Sequence, residues 1–464
     1  MTAALTPDLC VIGAGAGGLV VAAGAAQMGA RVVLIERGEM GGDCLNYGCV
    51  PSKSLLAASR LADVWRRGAE LGVQYGPPRI DFAEIGASID RVIAGIAPND
   101  SAERFERLGV TVIRAEASFT DGRTATAGGA AIRPRRFVIA TGSSPAIPAI
   151  AGLNSVPYFT NETIFANREL PAHLIVIGGG PVGIELAQAH RRLGAEVTVI
   201  DAGPILPRDD PELTAALATR LADEGIAFYQ SAEIAGIEPG PAVALQNGAR
   251  IAGSHLLVAA GRRPDLAPLN LPAAGIASTP TGITVDARLR TTNRRTYAIG
   301  DAAGGPQFTH IAAYHAGIVI RNALFRLPAR VRYRALPRVV YTDPELAQVG
   351  PIQTEAGEAR VLRWSFADND RARTERDPFG EIKVLVRPNG RILGATILGA
   401  AAGDLILPWA LAIAQRLKIG AMANLIVPYP TRGEAGKRAA GAYYAGTLFS
   451  PRTRRLVRLL ARFG

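Results

Sequence analysis

The stretch Leu9-Cys10-Val11-Ile12-Gly13-Ala14-Gly15-Ala16-Gly17-Gly18 decides the fold. Its first four residues read as a short buried strand, and the glycine run that follows reads as a tight turn. The chain to Met28 reads as a helix, and residues 31–35 as a second strand closed by Glu36. The same order returns at residues 174–177, then Gly178-Gly179-Gly180-Pro181-Val182-Gly183, a helix to Leu193, and residues 197–200 closed by Asp201. Gly13 and Gly178 stand 165 residues apart. One chain therefore carries two strand–turn–helix–strand units.

A single G-x-G-x-x-G is weak. Two copies, each after a strand, before a helix and followed by an acid, point to dinucleotide binding. The first glycine permits the turn, the second lets the backbone approach a pyrophosphate, and the third lets helix and strand pack closely. The helix N-terminus then turns its positive end to the phosphates.

The chain has 464 residues, 48% of them hydrophobic and 20% charged, enough for two to four domains. Its 52 glycines and 31 prolines follow no period, which excludes a collagen-like or low-complexity chain. Three cysteines exclude a disulfide-stapled secreted scaffold. The net charge of +11 suggests nucleic acid, but the basic residues are spread along the chain without a stripe or interleaved aromatics. Only Lys53, Lys383, Lys418 and Lys437 are lysines, so the bias is arginine composition, and no nucleic-acid partner is expected. The apolar start lacks a basic leader, and the apolar stretch 394–414 is broken by Asp404 and Pro408. A soluble, cytoplasmic protein is expected.

Directly after the first acid comes Gly41-Gly42-Asp43-Cys44-Leu45-Asn46-Tyr47-Gly48-Cys49-Val50-Pro51-Ser52-Lys53. Two cysteines with four residues between them suit a redox-active disulfide. Cys49 stands where a breaker-free helix begins, and a helix N-terminus stabilises a thiolate. Two reduced buried thiols, or half a metal site, are the alternatives. Zinc pairs use a two-residue gap and a second Cys or His pair, which this chain lacks, so no metal site is expected. Cys10 lies inside the first strand and reads as a small core hydrophobe.

This motif, both glycine units and the Gly300-Asp301 element together resemble the flavin-dependent pyridine nucleotide–disulfide oxidoreductases. That family includes dihydrolipoamide dehydrogenase, glutathione reductase and mercuric reductase, and the resemblance covers nearly the whole chain. It implies an α/β fold with two Rossmann-like dinucleotide-binding domains and a C-terminal α+β dimerisation domain. The expected order is an FAD-binding part at 1–152, an NAD(P)H-binding domain at 153–272, a return to the FAD domain at 273–335, and an interface domain at 336–464. It further implies a homodimer carrying FAD and NADH, with NADPH as the alternative. Gly13, Gly15, Gly18, Glu36, Gly42, Lys53, Thr141, Gly142 and Asp301 would hold FAD. Gly178, Gly180, Gly183, Asp201 and Gly261 would hold the nicotinamide nucleotide. Cys49 would be the thiol nearest the flavin and Cys44 the interchange thiol facing substrate. Lys53 would pair with Glu185 beside the flavin.

One position departs from the thiol-reducing members. They carry a histidine followed by proline, with a glutamate five residues on, supplied by the partner subunit as the proton shuttle. Here the stretch reads Val427-Pro428-Tyr429-Pro430-Thr431-Arg432-Gly433-Glu434, with Glu434 present and Tyr429 in the histidine's place. A histidine takes a thiol proton near pH 7; a tyrosine with its ordinary pKa near 10 does not. The tyrosine resembles mercuric reductases, but the chain ends without their vicinal C-terminal cysteines. The reading is a mercuric-reductase-like oxidoreductase with a small-molecule electron acceptor. The alternatives are a dihydrolipoamide dehydrogenase and a flavin-binding interaction protein with little turnover.

Asp201 at the second strand's end favours NADH, since a carboxylate accepts from a ribose 2′-OH and repels a 2′-phosphate. Arg208 is the candidate for the opposite preference. His310 and His315 read as helix-packing residues; the alternatives are that one lies near the flavin and that His310 replaces the missing base. Residues 60–110 read as mostly helical, with Leu61, Val64, Trp65, Ile89, Val92 and Ile93 on apolar faces. The tail 450–464 carries Arg452, Arg454, Arg455, Arg458 and Arg462 and no acid, with Leu456, Val457, Leu459, Leu460 and Phe463 between them. Such a helix suits peripheral membrane contact or packing on the dimer.

Overall fold

The computed structural model describes residues 4–74, 76–353 and 359–463, and at residue 69 the backbone only. Gly464, the last residue of the basic tail, lies outside the described residues. The described residues form two compact units. The first gathers residues from 1–58, 81–178 and 233–331, and the second from 59–80, 179–232 and 332–464.

The first unit is built on a five-stranded parallel sheet. Its order is Thr296–Ala298, Arg136–Ile139, Leu9–Ile12, Val32–Glu36 and Val110–Arg114. Leu9–Ile12 is central and buried along its whole length, as continuous apolar runs in parallel sheets require. Cys10 is wholly buried in this sheet, between Val33 and Phe137 in register, and burial pushes its thiol pKa far up. The helices Ala16–Gln27 and Thr309–Ala323 pack so tightly that a Cβ on Gly17 would lie 3.2 Å from the Ala312 Cβ. Within the same unit His173–Ile177 pairs in parallel with His255–Val258.

The second unit contains the helix Pro181–Leu193 and the parallel strands Glu196–Ile200 and Ile226–Tyr229. Its larger part is a five-stranded antiparallel sheet, in the order Pro337–Val340, Glu345–Val349, Ile392–Gly399, Glu381–Val386 and Arg360–Ser365. The helices Leu407–Ala414 and Glu434–Leu448 share its core, in which Trp409, Phe366 and Ile397 are buried.

Residues 60–110 are largely helical, in Cys49–Gly68, Phe82–Ile96 and Ala102–Arg107. Ile89 is buried, but Leu61, Val64 and Val92 are exposed. These three positions of the expected apolar face are therefore not part of the core. No described helix is long and apolar enough to cross a membrane.

Candidate active site

The first glycine turn works as its spacing predicts. Gly13 has φ +106°, and a Cβ there would sit 2.4 Å from the Ala140 carbonyl oxygen. Gly178 repeats this with φ +115° and 2.3 Å to the Ala259 carbonyl oxygen. Both positions admit only glycine. Gly15 and Gly180 are the N-caps of Ala16–Gln27 and Pro181–Leu193, in extended conformation, and supply no side-chain cap. The first-turn N–H groups of each helix are left for an anion. A Cβ on Gly180, Gly142 or Gly261 would meet nothing within 4 Å.

The acids after each second strand do the same work in both copies. Glu36 accepts from the Ala14 N–H at 2.6 Å and from the Gly38 N–H at 2.7 Å. Asp201 accepts from the Gly179 N–H at 2.6 Å and the Gly203 N–H at 2.7 Å. Each carboxylate thus fixes its glycine turn and keeps lone pairs for a ribose hydroxyl.

Asp301 lies in the turn Gly300–Ala303 after the last parallel strand and accepts from the Ser143 hydroxyl at 2.6 Å. Burial raises its pKa. His315 is buried, and its Nδ1 accepts the Gly300 N–H at 3.1 Å. Burial lowers this imidazole to about 4, so it is the neutral acceptor that Gly300 needs. His315 therefore does more than pack: it holds the backbone beside Asp301. His310 stacks on Phe308, with ring centroids 5.1 Å apart. Thr141 Oγ1 is buried with no hydrogen-bond partner among the described residues. A glycine turn at a helix N-terminus, Glu36, an orphaned hydroxyl and Asp301 form a donor and acceptor set that fits FAD.

Cys44 and Cys49 are free thiols in this structure. Cys44 lies in the short helix Gly42–Asn46, and Cys49 opens the helix Cys49–Gly68, as its sequence position predicts. A hydrogen bond from Cys44 lowers the Cys49 pKa to about 6, with Thr309 and Lys53 adding to the effect. Thr309 Oγ1 is 3.2 Å from the Cys49 sulfur. The hydrogen bond with Cys49, together with burial, pushes the Cys44 pKa upward, against a smaller opposing effect of Thr309. Charge rests on Cys49, and Cys44 is the proton-bearing partner. Lys53 lies one turn along the same helix, its Nζ 3.4 Å from Ser52 Oγ.

In the second unit, Glu185 is buried on the helix Pro181–Leu193 and accepts from the Tyr341 N–H at 2.9 Å. Tyr429 is exposed and donates its hydroxyl to Asp370 at 2.9 Å, which raises its pKa. Glu434 begins the helix Glu434–Leu448 and accepts from Arg438 at 2.9 Å. Among the described residues no group of three or more His, Cys, Asp or Glu could hold a metal ion.

The sequence reading missed Thr309, Ser143, Asn161, Arg262 and Asp43. Arg262 donates to Ser143 Oγ at 2.9 Å, the Ser143 carbonyl at 2.6 Å and Asn161 Oδ1 at 3.2 Å, and its Nη2 is 3.0 Å from Asp43 Oδ1. Thr309 was within reach of sequence reasoning, since it adjoins His310 just after the Gly300-Asp301 element. Asp43 stands inside the cysteine motif itself, whereas Ser143, Asn161 and Arg262 converge from distant segments and carry no local signal.

Comparison with known proteins agrees with this geometry. The pyridine nucleotide-disulphide oxidoreductase family matches residues 7–316, and its dimerisation domain matches residues 336–440. The chain is 35% identical to a mercuric reductase of Streptomyces lividans, over 94% of this chain and 96% of that one. It is 34% identical to a dihydrolipoyl dehydrogenase of Geobacillus stearothermophilus, again over 94% and 96%. The Cu(II) complex of RclA, an HOCl-induced flavoprotein disulfide reductase of Escherichia coli, superposes with a TM-score of 0.84 at 28% identity, covering 93% of this chain and 98% of that chain.

Proposed function

From the premise that the chain belongs to the pyridine nucleotide-disulphide oxidoreductase family, whose members bind FAD and use NAD(P)H, we propose that its Cys44–Cys49 pair delivers electrons to a thiophilic metal ion, Hg(II) first. It is a mercuric-reductase-like enzyme of that family, and its dimerisation domain supports a homodimer. FAD, when bound, supplies two-electron transfer between NAD(P)H and the cysteine pair. Gly13, Gly15, Gly18, Glu36, Gly42, Thr141, Gly142 and Asp301 are the residues to hold it. Gly178, Gly180, Gly183, Asp201 and Gly261 are those for the nucleotide, and Asp201 favours NADH. Lys53, on the Cys49 helix, is the residue to set the charge beside the flavin. Cys49 holds the negative charge, Cys44 faces the substrate, and both sulfurs suit a soft cation.

The observation that carries the acceptor is Tyr429. It stands where a disulfide reductase needs a base near neutrality, yet its hydroxyl is committed to Asp370 and its pKa is raised. A metal ion needs no proton relay of that kind. The test is anaerobic titration of the purified protein with NADH and with NADPH, followed by Hg(II), Cu(II), lipoamide, glutathione disulfide and a quinone in turn. Rapid reoxidation by Hg(II) and slow reoxidation by lipoamide is the expected result. The reverse would make the enzyme a dihydrolipoamide dehydrogenase, the second reading that its Geobacillus relative supports.

The tail supports a further partner. Pro451–Leu460 is a helix capped by Ser450, whose Oγ accepts the Thr453 N–H at 3.2 Å. Along the helix Leu456, Leu459 and Leu460 fall on one side and Arg454, Arg455 and Arg458 on another, and Leu456, Val457, Leu459, Leu460 and Phe463 are all exposed. This fits peripheral contact with an anionic bilayer. Sedimentation with vesicles containing phosphatidylglycerol, and not with phosphatidylcholine alone, is expected. Loss of binding on deletion of 450–464 supports the reading; unchanged binding removes it.

A further inference from the structure

The two cysteines are held from outside their own loop. Gly41 and Gly42, which lead into Cys44, both have positive φ, +89° and +60°. That backbone favours glycine at both positions, so the entry to the site has no side chain of its own to anchor the loop. The anchor is the next side chain, Asp43. Its Oδ1 lies 3.0 Å from Arg262 Nη2 and accepts from Asn161 Nδ2 at 3.1 Å. Asn161 also donates to the Tyr47 carbonyl at 3.3 Å, inside the ring between the two cysteines.

Arg262 is itself well placed to act as a clamp. It lies in a short antiparallel ribbon, paired with Pro145, and the Ala146 N–H bonds the Gly261 carbonyl at 2.9 Å. Its side chain is mostly buried, 19% exposed. One guanidinium spans Ser143, Asn161 and Asp43, which only a planar fork can do. Ser143 in turn donates to Asp301. A continuous polar chain thus runs from Asp301 through Ser143 and Arg262 to the residue before Cys44.

We propose that Arg262 is a positioning residue for the redox pair: it ties Asp43, and with it the Cys44 loop, to the Ser143–Asp301 floor of the flavin site. It acts through Asp43 and touches neither sulfur. It also balances the Asp43 carboxylate, whose charge opposes a thiolate at Cys49. The other groups acting on Cys49 are Cys44, Thr309 from the helix Thr309–Ala323 and Lys53 from its own helix, and the nearby Glu162 carboxyl is raised by burial and by Asp43 and lowered by Arg262. The inference rests on Cys44 and Cys49 being the redox pair.

The test uses holoenzyme reduced anaerobically by two electrons from dithionite, so that no nucleotide enters. The readout is the long-wavelength thiolate–flavin absorbance, normalised to bound FAD. Arg262→Gln is expected to weaken this band at least about threefold, and Arg262→Lys to an intermediate degree, keeping the charge and losing the fork. In an Asp43→Asn background the same Arg262→Gln change is expected to matter by less than about 1.5-fold, because the clamp's partner is already altered. A full band in Arg262→Gln, or an equal loss in both backgrounds, overturns the proposal. Should Arg262→Gln not fold, Arg262→Lys with and without Asp43→Asn decides by the same comparison. A wild-type enzyme with no such band overturns the redox reading of Cys44 and Cys49 instead, and the clamp with it.

Discussion

At Cys49 one sulfur collects a helix N-terminus, a hydrogen bond from Cys44, the Thr309 hydroxyl and the Lys53 charge, against burial and Asp43. The favourable group wins, so the thiol is charged above about pH 6 and neutral below it. In Cys44→Ser, a permanent thiolate–flavin band is expected in the oxidised enzyme, fading as pH falls through that value. Cys49→Ser should lack the band while FAD stays bound. A band in Cys49→Ser and none in Cys44→Ser would exchange the two roles. Tyr429→His should raise lipoamide turnover by at least about tenfold, the lower range of general acid–base effects; steady-state kinetics with lipoamide would show it. His315 works on stability. Its folded pKa of about 4 lies below the ordinary 6.5, so between those values the unfolded chain binds the extra proton. Stability is therefore lost as pH falls through that window, by at most about 3 kcal/mol from this residue. His315→Gln should flatten that part of the pH–melting curve.

The two glycine turns use one device at the scale of elements: a strand, a positive-φ residue, and a helix whose N-terminal N–H groups stay open. Their substitution should separate the two nucleotides. Gly13→Ala forces a Cβ against the Ala140 backbone and should cost about 3 kcal/mol or more, releasing FAD. Gly178→Ala meets the Ala259 backbone in the same way and should spare the yellow colour while preventing reduction by NADH. Flavin content after gel filtration and an anaerobic NADH titration measure both. Loss of FAD from Gly178→Ala would show that the turns do not act separately. Legibility in the sequence was uneven here. Glycine spacing and strand-ending acids are local signals, so both turns and the helix start at Cys49 could be read. Arg262 could not, since its partners are brought to it by a ribbon between residues 144–145 and 262–263.

The whole molecule is expected to act as a dimer, with Tyr429 and Glu434 completing the partner's site. Complementation addresses this directly. Cys44→Ser and Glu434→Ala chains, each impaired alone, should recover up to about a quarter of wild-type turnover when co-expressed, because half of randomly mixed dimers carry one intact site. No recovery would place Glu434 outside the partner's site. The exposed Leu61, Val64, Val92 and Ile426 give such an assembly apolar surface to cover.

The sequence by itself determined the family and, with it, FAD and NAD(P)H, and it marked both glycine turns, the cysteine spacing and the departure at Tyr429. Each of these is written in residues close along the chain, where turn geometry and helix polarity act over a few positions. Tertiary structure alone brought Thr309, 260 residues from Cys49, against the sulfur whose charge the helix start already favoured. It also decided that His315 supports the Gly300 backbone, that Tyr429 bonds Asp370, and that Arg262 reaches Asp43. Those contacts join residues whose separation along the chain carries no periodic or spacing signal, and their energy comes from burial and hydrogen-bond geometry that only the folded chain creates.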